Sequence, residues 1–137
     1  MANALYNEFK DALAAEGHNL TADDIRAILV DGADYTFSAA HDFLDDVPGG
    51  ARVAVSAQLT SPTMVNGLFD TADFAWSTVS GDQSENVILY NHNGNGAGAD
   101  SARQLISFYD TGMTGMPVTP SGGNINVTVN ASGWLTL

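Results

Sequence analysis

The sequence predicts a mainly β domain, an antiparallel β-sandwich of jelly-roll or immunoglobulin-like type with one N-terminal α-helix. Two observations carry that expectation. From Ile25 onward short apolar runs recur, several alternating with polar residues at a period of two, and clusters of Gly, Asn, Asp and Ser separate them. Ahead of them, one stretch places its apolar residues at helical spacing instead. All 137 residues fit one domain, 1–137, with the helix in 1–17 and the sandwich in 24–137. A domain of that size buries roughly two-thirds of its unfolded surface.

In the helix, Leu5, Phe9, Ala12 and Leu13 fall at i, i+4, i+7 and i+8 among Glu8, Lys10 and Asp11, and Gly17 is placed to end it. By default this stripe covers the flank of the domain's own sheet; the alternative is a neighbouring subunit, since terminal helices are easily lent to partners, which makes Leu5 and Phe9 candidate interface residues. Ile25 to Val30, stopped by Asp31-Gly32, reads as a short buried strand. Between Asp31 and Gly50 there is no strand pattern, and a loop of that length in a compact domain tends to carry function or structure of its own. Tyr35, Phe37, Phe43 and Leu44 give it apolar anchors, Ser38 to Leu44 suits a helical turn, and Pro48-Gly49-Gly50 breaks the chain. We therefore expect an ordered excursion over 31–50, with Phe43 and Leu44 as further interface candidates.

After Gly50 the pattern changes. Val53, Val55, Ala57 and Leu59 alternate with Arg52, Ala54, Ser56 and Gln58, as in a strand with one buried face. Met64 to Phe69 is a weaker strand candidate, bent at Gly67. Phe74, Trp76 and Thr78 form another alternating strand, closed by Ser80-Gly81-Asp82, and Val87 to Tyr90, apolar on both faces, belongs at the centre of a sheet. The glycine-rich loop Asn91 to Asp100 leads to an apolar strand over Gln104 to Tyr109. Met113, Met116 and Pro117 form an apolar loop that either caps the core or meets a partner. Ile125, Val127 and Val129 alternate with polar residues, and Asn130 to Gly133 offers a hairpin turn into Trp134 to Leu137.

Charge narrows the function classes. Four basic residues against sixteen acidic ones give a formal net charge of -12. Nucleic-acid affinity comes from Lys and Arg displacing counterions, so nucleic acid is not an expected partner. With no cysteine there is no disulfide framework and no thiolate metal site. No apolar run approaches the ~20 residues of a membrane span, and the N-terminus lacks the basic start and apolar run of a signal peptide, so neither is expected.

The candidate chemistry is sparse. His41, Asp42, Asp45 and Asp46 form an H-D-x-x-D-D cluster with Asp31 and Asp34 nearby. Oxygen-rich clusters suit calcium, but the ligand spacing and turn glycine of an EF-hand are missing, and no metal is expected. Gly94, Gly96 and Gly98 lead to a strand rather than opening a helix, which argues against a phosphate loop. His18, His41 and His92 lie far apart in the chain, and there is no G-x-S-x-G elbow. The expectation is a protein that is not an enzyme and takes no cofactor.

Six strings add a resemblance: NALYNEF at Asn3 to Phe9, IRAILVDGADYTF at Ile25 to Phe37, HDFLDDVPGGARVA at His41 to Ala54, VSGDQSENVILY at Val79 to Tyr90, RQLISFYDT at Arg103 to Thr111 and PVTPSGGNINVT at Pro117 to Thr128. In these the chain resembles a family of small virion structural proteins of tailed bacteriophages, usually seen as head decoration. The resemblance implies a capsid decoration (cement) protein on the outer head surface, present in many copies or as a homo-oligomer. Its implied partners are the major capsid protein or other virion proteins. Tail assignments also occur in that family, so a tail or head-fibre component used in host attachment is the alternative. A third reading, from the residues themselves, is a carbohydrate-binding module in which Trp76, Trp134 or Tyr90 stacks on sugar.

Overall fold

The computed structural model describes residues 3–15, 17–92, 98–111, 113 and 115–137. In chain order the elements are β1 (Ala4–Leu5), α1 (Asn7–Ala14), β2 (Ile25–Val30), β3 (Arg52–Val55), β4 (Thr63–Val65) and β5 (Leu68–Asp70). They continue with β6 (Phe74–Trp76), β7 (Asn86–Asn91), β8 (Leu105–Tyr109), β9 (Ile125–Val127) and β10 (Leu135–Thr136). Every pairing is antiparallel. The principal sheet has the order β1-β8-β7-β2-β3, and two smaller sheets, β10-β5-β4 and β6-β9, pack against it. The fold is thus mainly β and sandwich-like, with one α-helix among the described residues.

β7 sits at the centre of the principal sheet with all six residues buried, as expected of a strand apolar on both faces. Its neighbour β2 shows how the period of two divides a strand between two cores. Ile25, Ala27 and Leu29 join Val87, Leu89 and Ile106 against Phe69, Trp76, Val127 and Trp134. Ile28 and Val30 point the other way, with Ile88, Tyr90, Leu105 and Phe108, and meet Tyr35, Leu44, Val47 and Ala51. The excursion is therefore a third layer that covers the outer face of the principal sheet. Its 3₁₀ turns fall at Leu44–Asp46 and Gly49–Ala51, later than the helical turn expected over Ser38 to Leu44. The reason is that Phe43 is held in extended form against the chain entering β8: it bridges Gln104, while Leu105 N–H reaches Asp42 O and Leu44 N–H reaches Arg103 O.

Four expectations are corrected. The helix begins at Asn7, because Leu5 pairs with Ser107 in β1 and Tyr6 N–H bonds Ile106 O. The alternation after Gly50 holds at Val53 and Leu59, which join the inner core, but is out of phase between them: β3 ends at Val55, which is 46% exposed, whereas Ser56 is buried, its hydroxyl accepting from Ala27 N–H. A register shift at Leu29/Val30 accompanies the change of phase. Met64 to Phe69 is not one bent strand but the hairpin β4–β5, turning at Asn66 and Gly67 with φ of 52° and 80°. Finally, Asn130 to Gly133 turns the chain without making a hairpin. β9 pairs with β6 and β10 with β5, so this turn carries the chain between sheets. A Cβ on Gly133 would lie 2.5 Å from Phe69 O, which explains the glycine there. Of the loop Asn91 to Asp100, residues 93–97, Gly94 and Gly96 included, lie outside the described residues.

Candidate functional site

The six interface candidates separate into three kinds. Phe9 and Leu44, at 0% and 3% exposed, are core residues, one in each core, and this corrects their assignment as contact anchors. Leu5, Met113 and Met116 are half-buried and pack on the inner core. Leu5 borders a cleft of about 210 Å³ between β1 and β10, Met113 lines its neighbour, and Met113 and Met116 line a third cleft with Glu85, Asp110, Thr111 and Pro117. Phe43, also half-buried, is apart from them in the excursion. The candidates do not form one patch.

The polar groups are gathered by the sheet in a way the sequence does not signal. Arg52 donates to Leu44 O and Val47 O and to the Asp100 carboxylate at 2.7 Å, so one guanidinium ties the first 3₁₀ turn of the excursion to the segment before β8. Hydrogen bonding to Arg52 holds the Asp100 carboxyl below its ordinary range. Arg103 also contacts Asp100 and approaches His92, whose Nδ1 meets Tyr90 OH. Burial, aided by the charges of Arg26 and Arg103, lowers the His92 pKa and favours the neutral ring. Arg26 is held bidentately by Asp24.

The histidines lie in separate networks. His18 bonds Gln104 and Asn91 beside Asp23, and His41 meets the Tyr35 hydroxyl, which in turn meets Tyr6 OH at 2.9 Å. Burial raises the pKa of both Tyr6 and Tyr35, so the pair stays protonated. Two carboxylate groups converge among the described residues, Asp42 with Asp45 and Asp46, and Asp31 with Asp34 and Asp82, each with oxygens within 4.8 Å of one another. His41 is not part of the first. Burial raises the Asp42 pKa, and the Asp42 N–H, bonded to Asp46, lowers that of Asp46. Calcium takes six to eight oxygens, and each group offers three carboxylates.

Trp76, Trp134 and Tyr90 are buried, at 1%, 6% and 1% exposed. The indole N–H of Trp76 bonds Ala27 O, that of Trp134 bonds Thr71 Oγ1, and their rings pack on Phe74. A sugar stacks only on an exposed ring face, so these aromatics are core residues and not a glycan platform. Among the described residues no helix is long and apolar enough to cross a membrane. No family model matches the chain, and no curated protein is significantly similar to it.

Proposed function

We propose that the chain is a non-enzymatic virion structural protein of a tailed bacteriophage, a decoration protein carried in many copies on the outer face of the head. The resemblance of the six strings motivates the reading. The observation that carries it is the use made of polar and charged groups. Arg52, Tyr35, His18 and His41 are spent on holding the layers together, while Asp31, Asp34 and Asp82 and the Asp42 group collect acid on the excursion and its flank. A subunit of net charge -12 is repelled by packaged nucleic acid and suits the outside of a shell. Since Phe9 and Leu44 are core, contact with the capsid protein falls to the surface of the excursion, to the half-buried Phe43 and to the rim around Leu5, Met113 and Met116.

Counting and locating the chain in purified particles tests this. The expected result is a copy number in proportion to the major capsid protein, with density on the outer shell. A few copies confined to the tail would favour the host-attachment alternative and overturn the decoration reading.

A further inference from the structure

We infer that β4 is the edge through which two copies of this chain pair, antiparallel about a two-fold axis, so that β10-β5-β4 continues into the same sheet of the second copy. β4 ends its sheet. Because Asn66-Gly67 makes a two-residue turn, Val65 and Leu68 exchange both ladder bonds, and the antiparallel alternation then aims the N–H and C=O of Met64 away from β5. Among the described residues neither group meets a backbone partner outside the hairpin. Exposed edges are commonly blunted by charge, yet Thr63, Met64 and Val65 carry none.

The side chains at this corner fit the same reading. Val65 and Leu137, at 62% and 54% exposed, are two of the three large apolar residues exposed among those described. Leu137, Met64, Leu13 and Leu20 border a cleft of about 460 Å³ completed by His18, Asn19 and Thr21. None of those lining residues is itself acidic in a chain of net charge -12, and the nearby Asp23 carboxylate is engaged by Asn19 N–H and lies beside His18. Pairing β4 on β4 sets no charged side chain of either edge strand against another, and an uncharged, partly apolar edge is complementary to itself. Antiparallel pairing centred on Met64 sets Val65 of one copy beside Thr63 of the other. It also brings both Met64 side chains, and with them both clefts, to one side of the joined sheet. The inference does not depend on the virion assignment.

Sedimentation equilibrium of the full chain, wild type and Val65→Lys, tests it together with hydrogen exchange at the Met64 amide. We expect a monomer–dimer equilibrium in which Met64 exchanges more slowly as concentration rises. Val65→Lys, at an exposed position, should raise the dimer dissociation constant by about tenfold or more by placing like charges across the axis. A wild-type chain still monomeric at about 0.1 mM, a Val65→Lys dimer as tight as wild type, or Met64 exchange independent of concentration would each overturn the inference.

Discussion

On the inner face of the principal sheet, Ala27, Leu29, Val87 and Leu89 meet Phe69 and Trp76 from two smaller sheets and Trp134 from the chain entering β10. On the outer face, Ile28, Val30 and Ile88 meet residues 31–51, a segment without a strand of its own. Both faces are sealed, but by different means. The inner seal is built mainly of paired strands, with α1 adding Phe9 to the same core. The outer seal is a loop of short turns, joined to the chain entering β8 through Asp42, Phe43 and Leu44 and pinned to the sheet by the Arg52 guanidinium and the Tyr6–Tyr35–His41 chain. Regular pairing spreads the stabilisation over many contacts, whereas pinning concentrates it in a few polar groups. The excursion should therefore be the more easily opened layer, and the more sensitive to pH.

The largest expected effect is on the inner side. Trp76→Ala removes a fully buried indole and its bond to Ala27 O, and should cost about 3–5 kcal/mol of global stability in urea unfolding. Arg52→Ala should cost about 1–3 kcal/mol, because Leu44 O and Val47 O lose their charged donor. Its signature is regional: proteolytic cleavage within 31–51 should accelerate while the Trp76 environment is retained below the melting transition. A loss shared equally by both layers would break the comparison.

Acid should act on the same side. The folded His92 pKa lies below its ordinary 6.5, so the unfolded chain binds more protons once the pH drops. The stabilisation is complete above about pH 6.5 and is lost as pH falls toward the folded value. Asp100 behaves in the same sense at lower pH, its contribution being present above 3.8 and lost as pH falls through its depressed folded pKa. Thermal melts between pH 7 and 5 should thus fall for the wild type and flatten for His92→Gln. The smallest effect is expected from Tyr35→Phe, about 0.5–1.5 kcal/mol, since only the hydroxyl bonds to Tyr6 and His41 are lost.

What could be read from the residues follows the same division. The buried strands Ile25–Val30, Leu105–Tyr109 and the central β7 were legible because their apolar runs report burial on both faces. The Asn66-Gly67 hairpin carried a strong turn signal that the weak flanking pattern Met64 to Phe69 obscured. The phase change at Ser56 was not legible, because a β-bulge and a hydroxyl bonded to Ala27 decide it, and neither leaves a trace in alternation. The partner of β10 was equally hidden, since turn chemistry at Asn130 to Gly133 fixes the bend and says nothing of which strand receives the chain. At the site, the apolar stripe around Phe9 reports only that something covers it, and the tertiary fold shows the cover to be this chain's own core, the default of the two readings; Leu44 is buried in the same way in the outer core. The convergence of Arg52, Asp100 and Leu44 joins residues distant in sequence and had no local signature.

Native-state hydrogen exchange compares the two layers most directly. The amides of Leu44, Val47 and Ala51, bonded to Arg103 O, Leu44 O and Pro48 O, report the excursion, and those of Val87 and Leu89 report the central strand. We expect the first group to exchange through an opening of lower free energy, nearly insensitive to low denaturant, while the second exchanges only on global unfolding. Equal opening free energies with equal denaturant dependence in both groups would contradict the distinction drawn between a paired layer and a pinned one.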